Sequence, residues 1–186
     1  MTVSDMPMEG GIETAVAADV FPDASCGLWY VLHTKSRQEK VVADGLAAMG
    51  IAHFLPLLKQ VRYYGNRKAW VDLPLFPGYV FLRGAVDHVY EADRTKRIAQ
   101  IIKVHQQDKL DWELRNLHVA LVAKVPLTPF PYLKAGVRVE VRSGPFRGLQ
   151  GVIEGRTPKD RLLLQVDILG QAVSVEIDGS LLDVIE

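Results

Sequence analysis

Cysteine is almost missing from this chain: Cys26 is the only one in 186 residues. No internal disulfide and no thiolate metal cluster can form, a pattern that suits a reducing compartment. Five histidines (His33, His53, His88, His105, His118) never pair at metal-ligand spacing, and no metal is expected. The chain also lacks an uninterrupted apolar run of about 18 residues, so no membrane-spanning helix is expected. No basic segment followed by an apolar core opens the sequence, which argues against a secretory signal and for a cytoplasmic protein. Residues 1–27 hold no Lys or Arg but carry Asp5, Glu9, Glu13, Asp19 and Asp23, and read as a flexible acidic leader. Nor is there a legible catalytic set. Asp108, Asp111 and Glu113 cluster, but they match the first turn of a helix, where carboxylates are favoured by the dipole. Gly144-Pro145-Phe146-Arg147-Gly148 lacks the Lys-Ser/Thr ending of a phosphate loop. The expectation is a protein that is not an enzyme and needs no cofactor.

Charge is present but unevenly placed. Lys and Arg balance Asp and Glu at 22 each, yet residues 28–124 hold 15 basic and 9 acidic side chains. Residues 125–186 hold 7 and 8. The neutral total hides a basic middle section, large enough to steer a polyanion.

Periodicity then gives the elements. Leu28–His33 reads as a strand. Ser36-x-x-Glu39 is a capping-box pattern that opens a helix carrying Val42, Leu46 and Met49 on one face and ending at Gly50. Strands are expected at 52–58 and on either side of Gly65-Asn66, a hairpin signal. Pro74-Leu75-Phe76-Pro77-Gly78-Tyr79-Val80-Phe81-Leu82 is a nearly continuous apolar strand in which Tyr79 and Phe81 point one way, Val80 and Leu82 the other. One of these rows is expected to be left over as an aromatic face for a protein partner. A short helix near 87–96, a strand at 98–105 and a helix over 111–124 follow. Three prolines in 125–131 read as an extended linker. Beyond it Val137, Val139 and Val141 alternate with charged residues, Gly144, Gly148 and Gly151 mark turns, and further strands complete a small β-barrel. The fold class is therefore α+β: an antiparallel or mixed sheet with flanking helices, then a five-stranded barrel. The expected division is 1–27 leader, 28–124 first domain, 125–133 linker and 134–186 barrel.

Trp29-Tyr30-Val31, the helix from Ser36, Phe76-Pro77-Gly78-Tyr79-Val80-Phe81 and the final barrel together resemble the NusG family of transcription elongation factors. The barrel resembles a KOW domain through Val137-Arg138-Val139, Gly144–Gly148, Gly151-Val152-Ile153 and Ile168-Leu169-Gly170. The resemblance runs in order over 28–186. It implies an N-terminal (NGN) domain that holds the clamp coiled coil of RNA polymerase and a barrel that recruits a second factor. The positions that match the polymerase contact are Phe76, Tyr79 and Phe81, with His33 and Ile101 at its edges. The barrel positions Ile168, Leu169 and Gly170 match a contact for a ribosomal small-subunit protein and, in general factors, for Rho. Lys35, Arg37, Lys40, Arg94, Thr95, Lys96 and Arg97 suit a path beside non-template DNA, as in RfaH-like relatives, although phosphate contacts alone carry no sequence information. The reading favours an operon-specific antiterminator (RfaH- or UpxY-like) acting as a monomer. A general NusG factor and a KOW-type ribosome- or RNA-binding module stand as alternatives. Tyr63, Tyr64, Arg67, Lys68 and Trp70 at the hairpin fit either a stacking surface or cross-strand packing.

Overall fold

The computed structural model describes residues 20–130, 132, 136–154 and 159–185. Among the described residues three antiparallel sheets and three α-helices make an α+β fold. The front sheet has the order β2-β5-β1-β6, built from β1 (Leu28–Thr34), β2 (His53–Phe54), β5 (Tyr79–Gly84) and β6 (Ile98–Lys103). β3 (Leu57–Tyr64) and β4 (Arg67–Pro74) pair with each other as a separate hairpin around Gly65, whose φ of 61° is the left-handed turn geometry glycine tolerates.

The central strands alternate. Trp29, Val31 and Phe81 face one layer, where Leu110, Leu114, Leu117 and Leu121 of α3 (Gln107–Val122) cover them. Leu32, Val80 and Leu82 face the other, against Val42 and Leu46 of α1 (Glu39–Ala48) and Val89 and Ala92 of α2 (Val86–Asp93). Each fully buried large side chain here contributes about 1.5–3 kcal/mol. Both faces of the apolar strand are thus largely covered by the chain's own helices: of the expected leftover aromatic row Phe81 is buried, and Tyr79 alone stays half-buried.

Local details also depart from the sequence reading. The Ser36–Glu39 capping box does not form, because Arg37 takes a left-handed φ of 59° and α1 starts only at Glu39. The Glu39 carboxylate instead accepts the amide of Gly78 at 2.7 Å. At its far end α1 closes as expected: Gly50 (φ 69°) donates to Ala47 and Ile51 donates back to Leu46, a Schellman pair. α3 begins four residues earlier than its periodicity indicates. Gln107 extends it by acting as a strand partner, its side-chain amide accepting from Trp29 N at 2.7 Å and donating to Trp29 O at 2.9 Å.

The acidic leader is pinned where it is described. Phe21 packs its ring 5.6 Å from Trp29 and 5.5 Å from Phe54, and Arg83 donates to the carbonyls of Pro22 and Gly27 at 3.1 Å each. Residues 1–19 lie outside the described residues.

The rear sheet has the order β12-β8-β9-β10-β11-β7, from β7 (Thr128–Phe130), β8 (Val137–Val141), β9 (Gln150–Ile153), β10 (Lys159–Val166), β11 (Gln171–Asp178) and β12 (Leu182–Val184). The alternation of β8 holds: Val139 and Val141 are buried, Arg138 and Glu140 are not. Five of these strands lie in the segment expected to form the barrel, here a β-rich sheet; the sixth comes from the proline segment. Thr128–Phe130 pairs with Ala172–Ser174 of β11, and Val125 and Leu127 are buried. Pro129 is tolerated because β7 is an edge, where one side of the strand needs no ladder bond. The stretch is a seated strand and not a free linker.

Candidate interaction surfaces

α3 sits between the two larger sheets and has a side for each. Its leucines face the front sheet, while Lys109, Trp112, Glu113 and Asn116, at spacings of three, one and three, face the rear one. Trp112 Nε1 donates to the Gln150 side chain at 2.7 Å, Asn116 accepts from Gln150 N at 2.9 Å, and the Arg138 guanidinium lies 4.6 Å over the Trp112 ring. Lys109 pairs with Asp167, and Asp167 N stands 3.3 Å from both Glu113 carboxyl oxygens. Burial pushes the Glu113 carboxyl up to about 7, against the opposing pull of Lys109 and Arg138.

The residues matched to a polymerase contact divide. Phe76 and Phe81 are 2% and 0% exposed, floor and not surface, because Phe21, Phe54 and α3 close over that face. Tyr79 and His33 remain half-buried. They pair across β5 and β1, and their rings stack with centroids 5.0 Å apart at 20°. Ile101 pairs with Leu32 and turns to the α1 layer, away from them. Its neighbour Ile102, opposite Val31, is the one on the Tyr79 side, half-buried against that core. Ile101 and Tyr79 therefore lie on opposite faces of the sheet, as the alternation from Val31 dictates.

The cations expected to meet DNA do come together. Lys35, Arg37 and Lys40 occupy the approach and first turn of α1; Arg94, Thr95, Lys96 and Arg97 occupy the turn from α2 to β6. The two segments join where Lys35 N donates to Arg97 O at 2.8 Å and Arg97 Nη1 to Gln38 Oε1 at 2.5 Å. All seven are exposed. Arg37 and Lys96 hold left-handed backbones (φ 59° and 55°), a conformation costing a non-glycine residue on the order of 1 kcal/mol. The Thr95 hydroxyl is committed to Ala92 O at 2.7 Å, ending α2. Sequence reasoning missed that the hairpin extends this cationic end: Arg62 and Tyr64 face Arg37 and Lys40 across a cleft of about 940 Å³.

On the rear sheet Ile168 and Leu169 lie in a 3-10 turn, Asp167–Leu169, stopped by Gly170 at φ 60°, ψ 35°. Both apolar side chains are half-buried, and Ile168 shares a cleft of about 380 Å³ with Ile102, Lys109 and Leu110. Among the described residues no group of three His, Cys, Asp or Glu side chains is arranged to hold a metal, and no helix is long and apolar enough to cross a membrane.

Residues 27–112 match the family described as transcription termination factor nusG. The transcription termination/antitermination protein NusG of Deinococcus radiodurans is 28% identical over 183 aligned residues, covering 82% of this chain and 96% of that protein. A NusG-type segment is thus matched over residues 27–112, a little under half of the chain. Both matches are to proteins described by a role in transcription. A crystal structure of an MjSpt4:Spt5 complex (conformation B) aligns over 86% of this chain and 97% of that one, at 15% identity and a TM-score of 0.31, too low to carry an argument. The NusG match spans the front sheet, the hairpin and the first turns of α3, so Tyr79, His33, Ile102 and the cationic end all lie inside it.

Proposed function

We propose that this protein is a NusG-family factor that acts in the cytoplasm on transcribing RNA polymerase, holding it through the front module and recruiting a second factor through the C-terminal β-module. The observation that carries the reading is the half-exposed His33–Tyr79 stack beside Ile102, set within the family match and floored by Phe76 and Phe81. Stacked rings on a rigid sheet are good anchors for a helix pair such as the polymerase clamp, since aromatic side chains on a preformed, desolvated base dominate such contacts. The cationic end then lies free to follow non-template DNA. The turn at Ile168, Leu169 and Gly170 is the surface proposed for a ribosomal small-subunit protein or Rho. Ile168 and Ile102 share one cleft, so a polymerase helix reaching Ile102 needs the barrel to yield there.

The test is copurification followed by binding to reconstituted elongation complexes. Recovery of polymerase subunits supports the reading, and recovery of ribosomal RNA without polymerase favours the RNA-binding alternative. Replacing Lys35, Arg37, Lys96 and Arg97 with Ala is expected to weaken retention and to flatten its salt dependence, by a slope of nearly one per lost phosphate contact. Unchanged retention at every salt concentration counts against the DNA path. Operon specialisation is tested by termination assays on several templates: one responsive leader among many favours the specialised role, a uniform response the general one.

A further inference from the structure

The β3–β4 hairpin pairs only with itself, and its outer half is unusual in composition. From Gln60 to Val71 it holds Arg62, Arg67 and Lys68 and no acid, while at its base Lys59 stands opposite Asp72. Tyr63, Tyr64 and Trp70 are 72%, 62% and 43% exposed. The register sets Tyr63 opposite Lys68 and Trp70 opposite Val61, so Tyr63, Lys68 and Trp70 share a face with Lys59. Lys68 Nζ lies 5.5 Å from the Trp70 ring centroid. Tyr64 is on the reverse face, toward the cleft with Arg37 and Lys40.

Cross-strand packing does not account for these rings. Their direct partners are Lys68, Arg67 and Val61, none aromatic, and among the described residues the ring–ring contacts do not include them. What such a face offers is flat π-surface edged by cations. A partner that answers both features carries flat rings and regular negative charge together. Unpaired bases on a phosphate backbone do so, whereas a duplex hides its base faces in the stack.

We propose that the Tyr63–Lys68–Trp70 face binds single-stranded nucleic acid, stacking bases on Tyr63 and Trp70 while Lys68 meets the phosphates. Diagonal neighbours on an antiparallel pair lie about 7–8 Å apart, a distance that two consecutive bases of an extended strand span. Stacking of this kind is tolerant of sequence, so the face supplies grip and not base reading. The proposal goes beyond polymerase binding and beyond the cations at the start of α1, and does not depend on either.

Its test therefore contains no polymerase. The full-length protein is titrated with a single-stranded DNA of about 12 nucleotides, within the range one stacking site covers, and Trp70 emission is followed alongside anisotropy of the labelled strand. The emission of Trp29, fully buried, and of Trp112, half-buried against the rear sheet, is subtracted by running the same titration on Trp70→Phe. The expected results are quenching of Trp70 and binding about tenfold or more weaker for an abasic strand of equal length. The pair Tyr63→Ala and Trp70→Ala is expected to lose about tenfold or more, with Trp70→Phe retaining most of the affinity and Tyr64→Ala changing little. Equal binding of abasic and base-bearing strands would reduce the contact to bulk charge and overturn the proposal. Tighter binding of a duplex, loss on Tyr64→Ala in place of Tyr63→Ala, or no binding would overturn it too. The Trp70→Phe variant and the abasic strand keep the proposal falsifiable even where the double substitution impairs folding.

Discussion

Glu39 accepts the amide of Gly78 at 2.7 Å, tying the first turn of α1 to the turn that delivers Tyr79. Glu39 is buried, and Gly78 holds a φ of 89° with the His33 ring 3.5 Å from where a Cβ would stand. Glu39→Ala leaves that amide without its partner and is expected to cost about 1–3 kcal/mol in urea unfolding. Glu39→Gln retains an acceptor and is expected to cost less. Equal, negligible effects of both would remove Glu39 as the brace of the Tyr79 turn.

Acid stability is expected to depend on Asp111. Burial pushes its carboxyl up, but the Trp29 indole N–H at 3.0 Å and the Arg115 guanidinium at 2.6 Å, with Arg83 at 2.5 Å, outweigh it and hold the pKa below the usual carboxylate value of 3.8. A lowered folded-state pKa stabilises above the unfolded value and loses that contribution as pH falls through the folded one. Unfolding followed below pH 4 is therefore expected to show a steeper loss in the parent protein than in Asp111→Asn, which is less stable at neutral pH. Parallel curves would contradict this.

Glu113 gives the opposite sign. Its pKa of about 7 lies above the ordinary 4.5, so the docked state binds the proton more tightly than the open one. The contribution is fully present below about 4.5 and is lost as pH rises towards and through 7. The facing groups are Lys109 on α3, Arg138 on β8 and Asp167 beside the 3-10 turn. Docking of the rear sheet on α3 is expected to weaken between about pH 4.5 and 7, seen as exchange at Trp112 and Gln150 amides by NMR. Glu113→Gln is expected to remove that dependence, and a pH-dependence that survives it would assign the effect elsewhere.

How far the sequence led can be seen residue by residue. Alternation in Leu28–His33 and Val137–Val141 and the Gly65-Asn66 turn were legible because each is a local signal with a fixed period or a backbone requirement. Burial of Phe76 and Phe81 was not, since a short apolar strand says nothing about what covers each face; that depends on α3, more than 25 residues away. That Ile101 faces away from Tyr79 was not legible either, because strand phase is set by the pairing of Ile102 with Val31. β7 was hidden behind its prolines, which forbid a central strand but permit an edge. The cleft linking Arg62 with Arg37 joins segments that no sequence spacing connects.

The central claim rests on Tyr79. Affinity for core RNA polymerase, measured by biolayer interferometry at fixed salt for the parent protein, Tyr79→Ala and Ile102→Ala, tests it most directly, with a Glu91→Ala surface change as control. The account expects each of the first two to weaken binding by about tenfold or more, as truncation of an anchoring side chain does, while thermal unfolding shifts little. Undiminished polymerase binding by a folded Tyr79→Ala protein would contradict it.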